Sequence, residues 1–115
     1  MKETWLREAY WILDHFSYNE RLGIAIPSFD RGWDQYSEDI QQAILFHWEN
    51  IRGKIPDRIA ELEEQINRKQ AKLSDEENFI KSCELNTEIA DLASIINDLW
   101  LWYRTHQDIS AKIHM

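Results

Sequence analysis

Four carboxylates stand at the spacing that hard-metal chemistry uses: Glu61-x-x-Glu64 and, after 23 residues, Glu88-x-x-Asp91. Residues three apart share one face of a helix, so each pair offers its oxygens together, and hard oxygen donors suit magnesium held against phosphate groups. Against an interior metal site, Glu64 falls opposite the apolar row Ile59, Leu62 and Ile66. Little else carries catalytic spacing. His15, His47, His106 and His114 are scattered and form neither Glu-x-x-His nor His-x-x-x-His. His47 lies on an apolar helical face, which predicts a hydrogen-bonded core histidine. Cys83 is the only cysteine, which excludes an intrachain disulfide and a Cys-rich zinc site. Acidic neighbours such as Glu84 would dull its reactivity, so a buried structural role is expected. With only Gly23, Gly32 and Gly53, the chain has no Gly-rich phosphate loop and no Gly-x-Ser-x-Gly elbow.

The two carboxylate pairs resemble the ExxE and ExxD helices of the MazG-type all-α nucleotide pyrophosphatases. That resemblance covers these two segments only. It implies magnesium held by Glu61, Glu64, Glu88 and Asp91. The stretch from Ile59 to Leu92 loosely resembles the UVR helical hairpin of excision-repair subunits, through Ile59, Leu62, Glu63, Phe79, Ser82, Cys83, Leu85, Ile89 and Leu92. It departs from that pattern in a turn about four residues longer and in Asn86-Thr87, where the family has Arg-Asp. The likeness implies a helical hairpin with a habit of binding proteins.

Charge narrows the partners. The chain's net charge of −8 disfavours nucleic acid and anionic membranes, whose binding draws on Lys and Arg. From Asp75 to Asp98 seven acidic residues face Lys81 alone, and Glu84, Glu88, Asp91 and Asp98 fall on one strip. Such a strip is either a solvated face or a docking surface for a basic partner whose binding weakens with salt. An acidic chain can also act as a nucleic-acid mimic.

These residues need elements to position them. A length of 115 residues is one domain by size (1–56 helices and loop, 57–106 hairpin, 107–115 tail), with six Trp, four Tyr and four Phe to close a core. The apolar positions after Met1 are interrupted by Arg7, Glu8 and Asp14, giving neither a signal peptide nor a membrane span, so the default compartment is cytoplasmic. Trp5, Ala9, Ile12 and Phe16, widened by Leu6 and Leu13, predict a first helix over 3–16, with Trp11 outside the stripe. Residues 17–36 carry Gly23, Pro27 and Gly32 without helical period and read as a long loop, with a short extended piece before Pro27. Leu22, Ile24, Ile26, Phe29 and Trp33 would pack that loop onto the helices. Ser37 caps a second helix whose apolar face is Ile40, Ala43, Ile44, His47, Trp48 and Ile51, broken by Gly53 and Pro56.

A third helix over 57–73 carries a coiled-coil-like seam of Ile55, Ile59, Leu62, Ile66, Lys69 and Leu73. Ser74-Asp75-Glu76-Glu77 fits a capping box, and Arg68, Lys69 and Lys72 would meet the acids after it, so the chain is expected to turn there. A straight helix through Ser74 is the alternative. The fourth helix, 75–106, bears Leu85, Ile89, Leu92, Ile96, Leu99 and Tyr103, extended backwards by Phe79 and Cys83. At 1.5 Å per residue it would span roughly 48 Å against about 25 Å for its partner, leaving an aromatic overhang at Trp100, Trp102 and Tyr103.

The reading is an all-α bundle of about four helices with an antiparallel hairpin (57–73 with 75–106) and a packed loop at 17–36. The function ranked first is a non-enzymatic interaction or regulatory protein without cofactor. It would bind a protein partner or a second copy through Trp100, Trp102 and Tyr103, or through the strip of Glu84, Glu88, Asp91 and Asp98. A magnesium-dependent nucleotide pyrophosphatase and a nucleic-acid mimic are the alternatives.

Overall fold

The computed structural model describes residues 11–105. Its elements run β1 (Phe16–Asn19), β2 (Ile24–Pro27), a 3-10 turn (Trp33–Gln35), α1 (Glu38–Arg52), α2 (Ile55–Asp75) and α3 (Phe79–Tyr103). The described chain is mostly helical. The expectation of an all-α fold is corrected by one antiparallel strand pair, with Phe16 opposite Pro27 and Asn19 opposite Ile24. Most of the expected first helix and the 107–115 tail, with His106 and His114, lie outside the described residues. Of the expected helix, the described residues 11–13 are helical and Asp14 and His15 form a turn, so the helix stops at Leu13 rather than Phe16.

The strand pair exists because the chain can reverse at Glu20–Gly23. Gly23 has φ +76°, a left-handed conformation that glycine takes without Cβ strain. Its amide donates to the Asn19 carbonyl at 2.8 Å, and the Leu22 amide donates to Asn19 Oδ1 at 2.9 Å. The expected loop, in which only a short extended piece before Pro27 was read, therefore holds a hairpin, and its Leu22 and Ile24 enter the core.

Ser37 caps α1 as its sequence predicts, its hydroxyl accepting from the Ile40 amide at 3.3 Å. Ile44 and Trp48 are fully buried on the inner face. The helix stops at Arg52. Gly53 and Lys54 make a two-residue break, and Pro56 enters the first turn of α2, where its missing amide hydrogen costs no helical bond.

The expected turn position needs correction. Ser74 does not cap a new helix: it lies within α2, where its hydroxyl donates to the Gln70 carbonyl at 3.1 Å. The turn is Glu76–Asn78, and Asn78 caps α3 by accepting from the Lys81 amide at 3.0 Å. The expected charge swap across Ser74 is not what joins the arms. Lys69 meets Glu88 at 2.9 Å instead, and Arg68 meets Glu64 at 2.6 Å along its own helix. The arms have 21 and 25 residues, so the predicted length mismatch shrinks to about one turn.

The core gathers where α1, the strand pair and the base of the α2–α3 hairpin meet, around Leu22, Ile24, Trp48, Ile55, Ile59, Leu62 and Leu99. Along the seam of α2, Ile55, Ile59 and Leu62 are buried, whereas Ile66, Lys69 and Leu73 are only half-buried. No residue between Leu62 and Leu99 is buried. The hairpin is an arm anchored at one end.

Three arginines fasten that base. Arg21 in the β-turn reaches Asp98 at 2.8 Å and Ser94 at 3.0 Å on α3. Arg58 on α2 donates to the Leu22 carbonyl at 3.0 Å. Arg52 on α1 lies 4.9 Å from the centre of the Tyr103 ring and donates to the Tyr103 carbonyl at 3.1 Å.

Candidate functional site

The aromatic end of α3 is largely folded in. Trp102 packs edge-to-face on Trp48 at 5.5 Å, and the Trp48 indole donates to the Thr105 carbonyl. Tyr103 is covered by Arg52. Trp100 and Leu101 remain open at 37% and 44% exposure, with Trp100 edge-to-face on Tyr103 at 5.4 Å. A segment apolar on nearly every side is thus covered on two sides and open on one.

The acidic strip divides. Glu88 is matched to Lys69 across the arm, and Asp98 to Arg21. Glu84 and Asp91 are exposed and make no ion pair among the described residues. The carboxylates of the magnesium reading are dispersed: Glu61 pairs with Arg58 at 3.3 Å, Glu64 with Arg68, and Glu88 with Lys69. Among the described residues no group of three or more Asp, Glu, His or Cys side chains is placed to hold a metal ion.

Two single-residue expectations are corrected. Cys83 is exposed, because it lies in the turn-proximal part of α3, beyond the reach of the core. His47 is half-buried with its ring edge against Phe16 at 4.6 Å, and that contact takes the place of the expected hydrogen bond among the described residues. Burial, reinforced by the Lys54 charge, lowers its pKa below the ordinary imidazole value. The arm's far end carries Phe79 and Ile80, exposed at 80% and 69%, so Phe79 does not extend the seam.

One site was not legible from spacing. Where residues 11–15 lead into β1 and the chain after β2 returns to α1, a cleft of about 460 Å³ opens among Trp11, Asp14, His15, Phe29, Asp30, Arg31 and Tyr36. The Ser28 amide donates to the His15 carbonyl at 2.8 Å, tying the two sides together. Gln41 at the start of α1 donates to the Trp33 carbonyl at 2.9 Å and holds the 3-10 turn. The His15 ring stands edge-to-face to Trp11 at 4.6 Å and to Tyr36 at 5.1 Å, and Phe29 meets Tyr36 at 5.7 Å.

The Nε2 atom of His15 is buried without a hydrogen-bond partner among the described residues. At the rim the Tyr36 hydroxyl donates to Asp30 at 3.0 Å. That bond, helped by the neighbouring Arg31 charge, lowers the Asp30 pKa against an opposing desolvation effect. Burial and the Asp30 carboxylate together raise the Tyr36 pKa. The Arg31 guanidinium lies 5.7 Å from the centre of the Tyr36 ring.

No known family, curated protein or solved structure matches the chain. No helix of the described residues is long and apolar enough to cross a membrane.

Proposed function

We propose that this chain is a non-enzymatic protein-interaction module that presents its α2–α3 arm to a protein partner, a second copy of the chain being the first candidate. One observation carries the reading: no residue between Leu62 and Leu99 is buried, although the stretch is helical and its seam is apolar. Two helices cover such a seam from one side each. A second pair of helices would close Ile66, Leu73, Leu85, Ile89 and Leu92 into a four-helix layer, the usual way such stripes are buried. Phe79 and Ile80 at the tip and Trp100 and Leu101 near the base add apolar surface at the two ends of the arm. Glu84 and Asp91, which have no cation of their own among the described residues, supply the acidic side of the contact.

Light scattering over about a hundredfold concentration range tests the self-association, in parallel with affinity capture from an extract. The expected result is a dimer, shifted towards monomer by the exposed double substitution Phe79→Glu with Ile80→Glu. A monomer throughout, together with no reproducible captured protein, would sink the reading.

A further inference from the structure

We propose that the cleft between residues 11–15 and the start of α1 binds an organic cation, an alkylammonium or guanidinium group of the kind a basic side chain presents, and that Arg31 is its internal stand-in. None of the cleft's lining residues lies on the α2–α3 arm, so this inference is independent of the one above. Its volume of about 460 Å³ accommodates such a group. Its walls are rings set nearly at right angles: His15 is inclined 77° to Trp11 and 79° to Tyr36, and Phe29 is inclined 64° to Tyr36. The electron-rich face of an aromatic ring attracts cations, and the Arg31 guanidinium 5.7 Å from the centre of the Tyr36 ring shows that this cluster accepts one.

Charge selects the same ligand. Asp14 and Asp30 line the cleft, Asp39 lines the adjoining hollow over Ile40 and Ala43, and Arg31 is the one Lys or Arg among the cleft's lining residues. Asp30 is fixed in place by the Tyr36 hydroxyl, which leaves its second oxygen for an incoming donor. Arg31 shows what the rings accept. Its guanidinium lies over Tyr36 and only loosely touches Asp30, at 3.4 Å, with more than half of its side chain in solvent. A loosely held internal cation is displaced readily by an external one that fills the cleft.

The test is titration of the whole protein with tetramethylammonium chloride, read by the upfield shift of the N-methyl protons and by the Trp11 indole resonance. Neutral tert-butanol and sodium acetate serve as the size-matched and anionic controls. Saturable shifts with tetramethylammonium, at least about tenfold weaker binding of tert-butanol, and none of acetate are expected. Asp30→Asn should weaken the cation about fivefold, and Arg31→Gln should strengthen it about threefold by removing the competitor. Both side chains are exposed, so both variants keep the fold. A blocked tripeptide with a central arginine that binds more tightly than butylguanidinium assigns the cation to a polypeptide, and equal binding assigns it to a free small molecule. Two outcomes overturn the proposal: no saturable shift in either the parent or Arg31→Gln, or acetate binding that Arg31→Gln abolishes.

Discussion

His47 shows how a residue reports on its surroundings. Its ring is half withdrawn from water against Phe16, with the Lys54 charge nearby, and both disfavour the imidazolium. The unfolded chain protonates it at the ordinary value of about 6.5, while the folded chain resists until lower pH. Protonation therefore favours unfolding: the stability contributed is full above about pH 6.5 and is lost as pH falls through the depressed folded value. Urea midpoints should drop between about pH 7.5 and pH 5.5, and His47→Gln should flatten part of that drop. An identical slope in parent and variant would show that the pH dependence lies elsewhere. Sequence placed His47 on the right face of the right helix, because the spacing from Ile40 to Ile51 is regular. It misjudged the partner, because Phe16 comes from a strand that no local pattern announced.

Elements were legible where local signals agreed. Ser37 followed by two acids marked the start of α1, and the Ile55–Leu73 spacing marked α2. The strands were hidden by their length of four residues each, too short for a period, and by Ser17 and Tyr18 facing solvent. Their traces were Gly23 and the short extended piece expected before Pro27, on which β2 falls. The cleft was invisible for a related reason: Trp11 lies in a helical stretch, His15, Phe29 and Tyr36 lie in irregular chain, and they meet only after the β-turn has closed.

The hairpin turn is a contest between two caps. Ser74 with Glu77 matched a capping box, but the chain uses Asn78, whose side-chain Oδ1 accepts from the Lys81 amide while the Glu76 carboxylate accepts from the Asn78 amide at 3.0 Å. An asparagine cap is at least as good as serine, and Lys81 at the third position concealed it. Asn78→Ala should cost about 1 kcal/mol by denaturant unfolding. Ser74→Ala removes only an exposed back-bond to Gln70 and should change stability by no more than about 0.5 kcal/mol. The reverse order would restore the turn to Ser74.

The described part of the molecule is long for its size: its radius of gyration is 18.7 Å and its extents are 62 × 33 × 19 Å, whereas a compact domain of 100 residues has a radius near 13 Å. Length of this kind places stability unevenly. Local opening is governed by buried apolar contact, and along the arm that contact is confined to the base, where Leu62 and Leu99 join the Trp48 core. Amide exchange should therefore show a gradient along both arms, slowest near Ile59 and Leu99 and fastest near Phe79, whatever the arm does. Concentration distinguishes the functions. If a second copy covers the arm, raising the protein concentration should slow exchange from Ile66 to Leu92 while leaving the base unchanged, because mass action stabilises only what the partner buries. A gradient that does not move with concentration would leave the chain a monomer with a free arm, and binding would then have to come from a different protein.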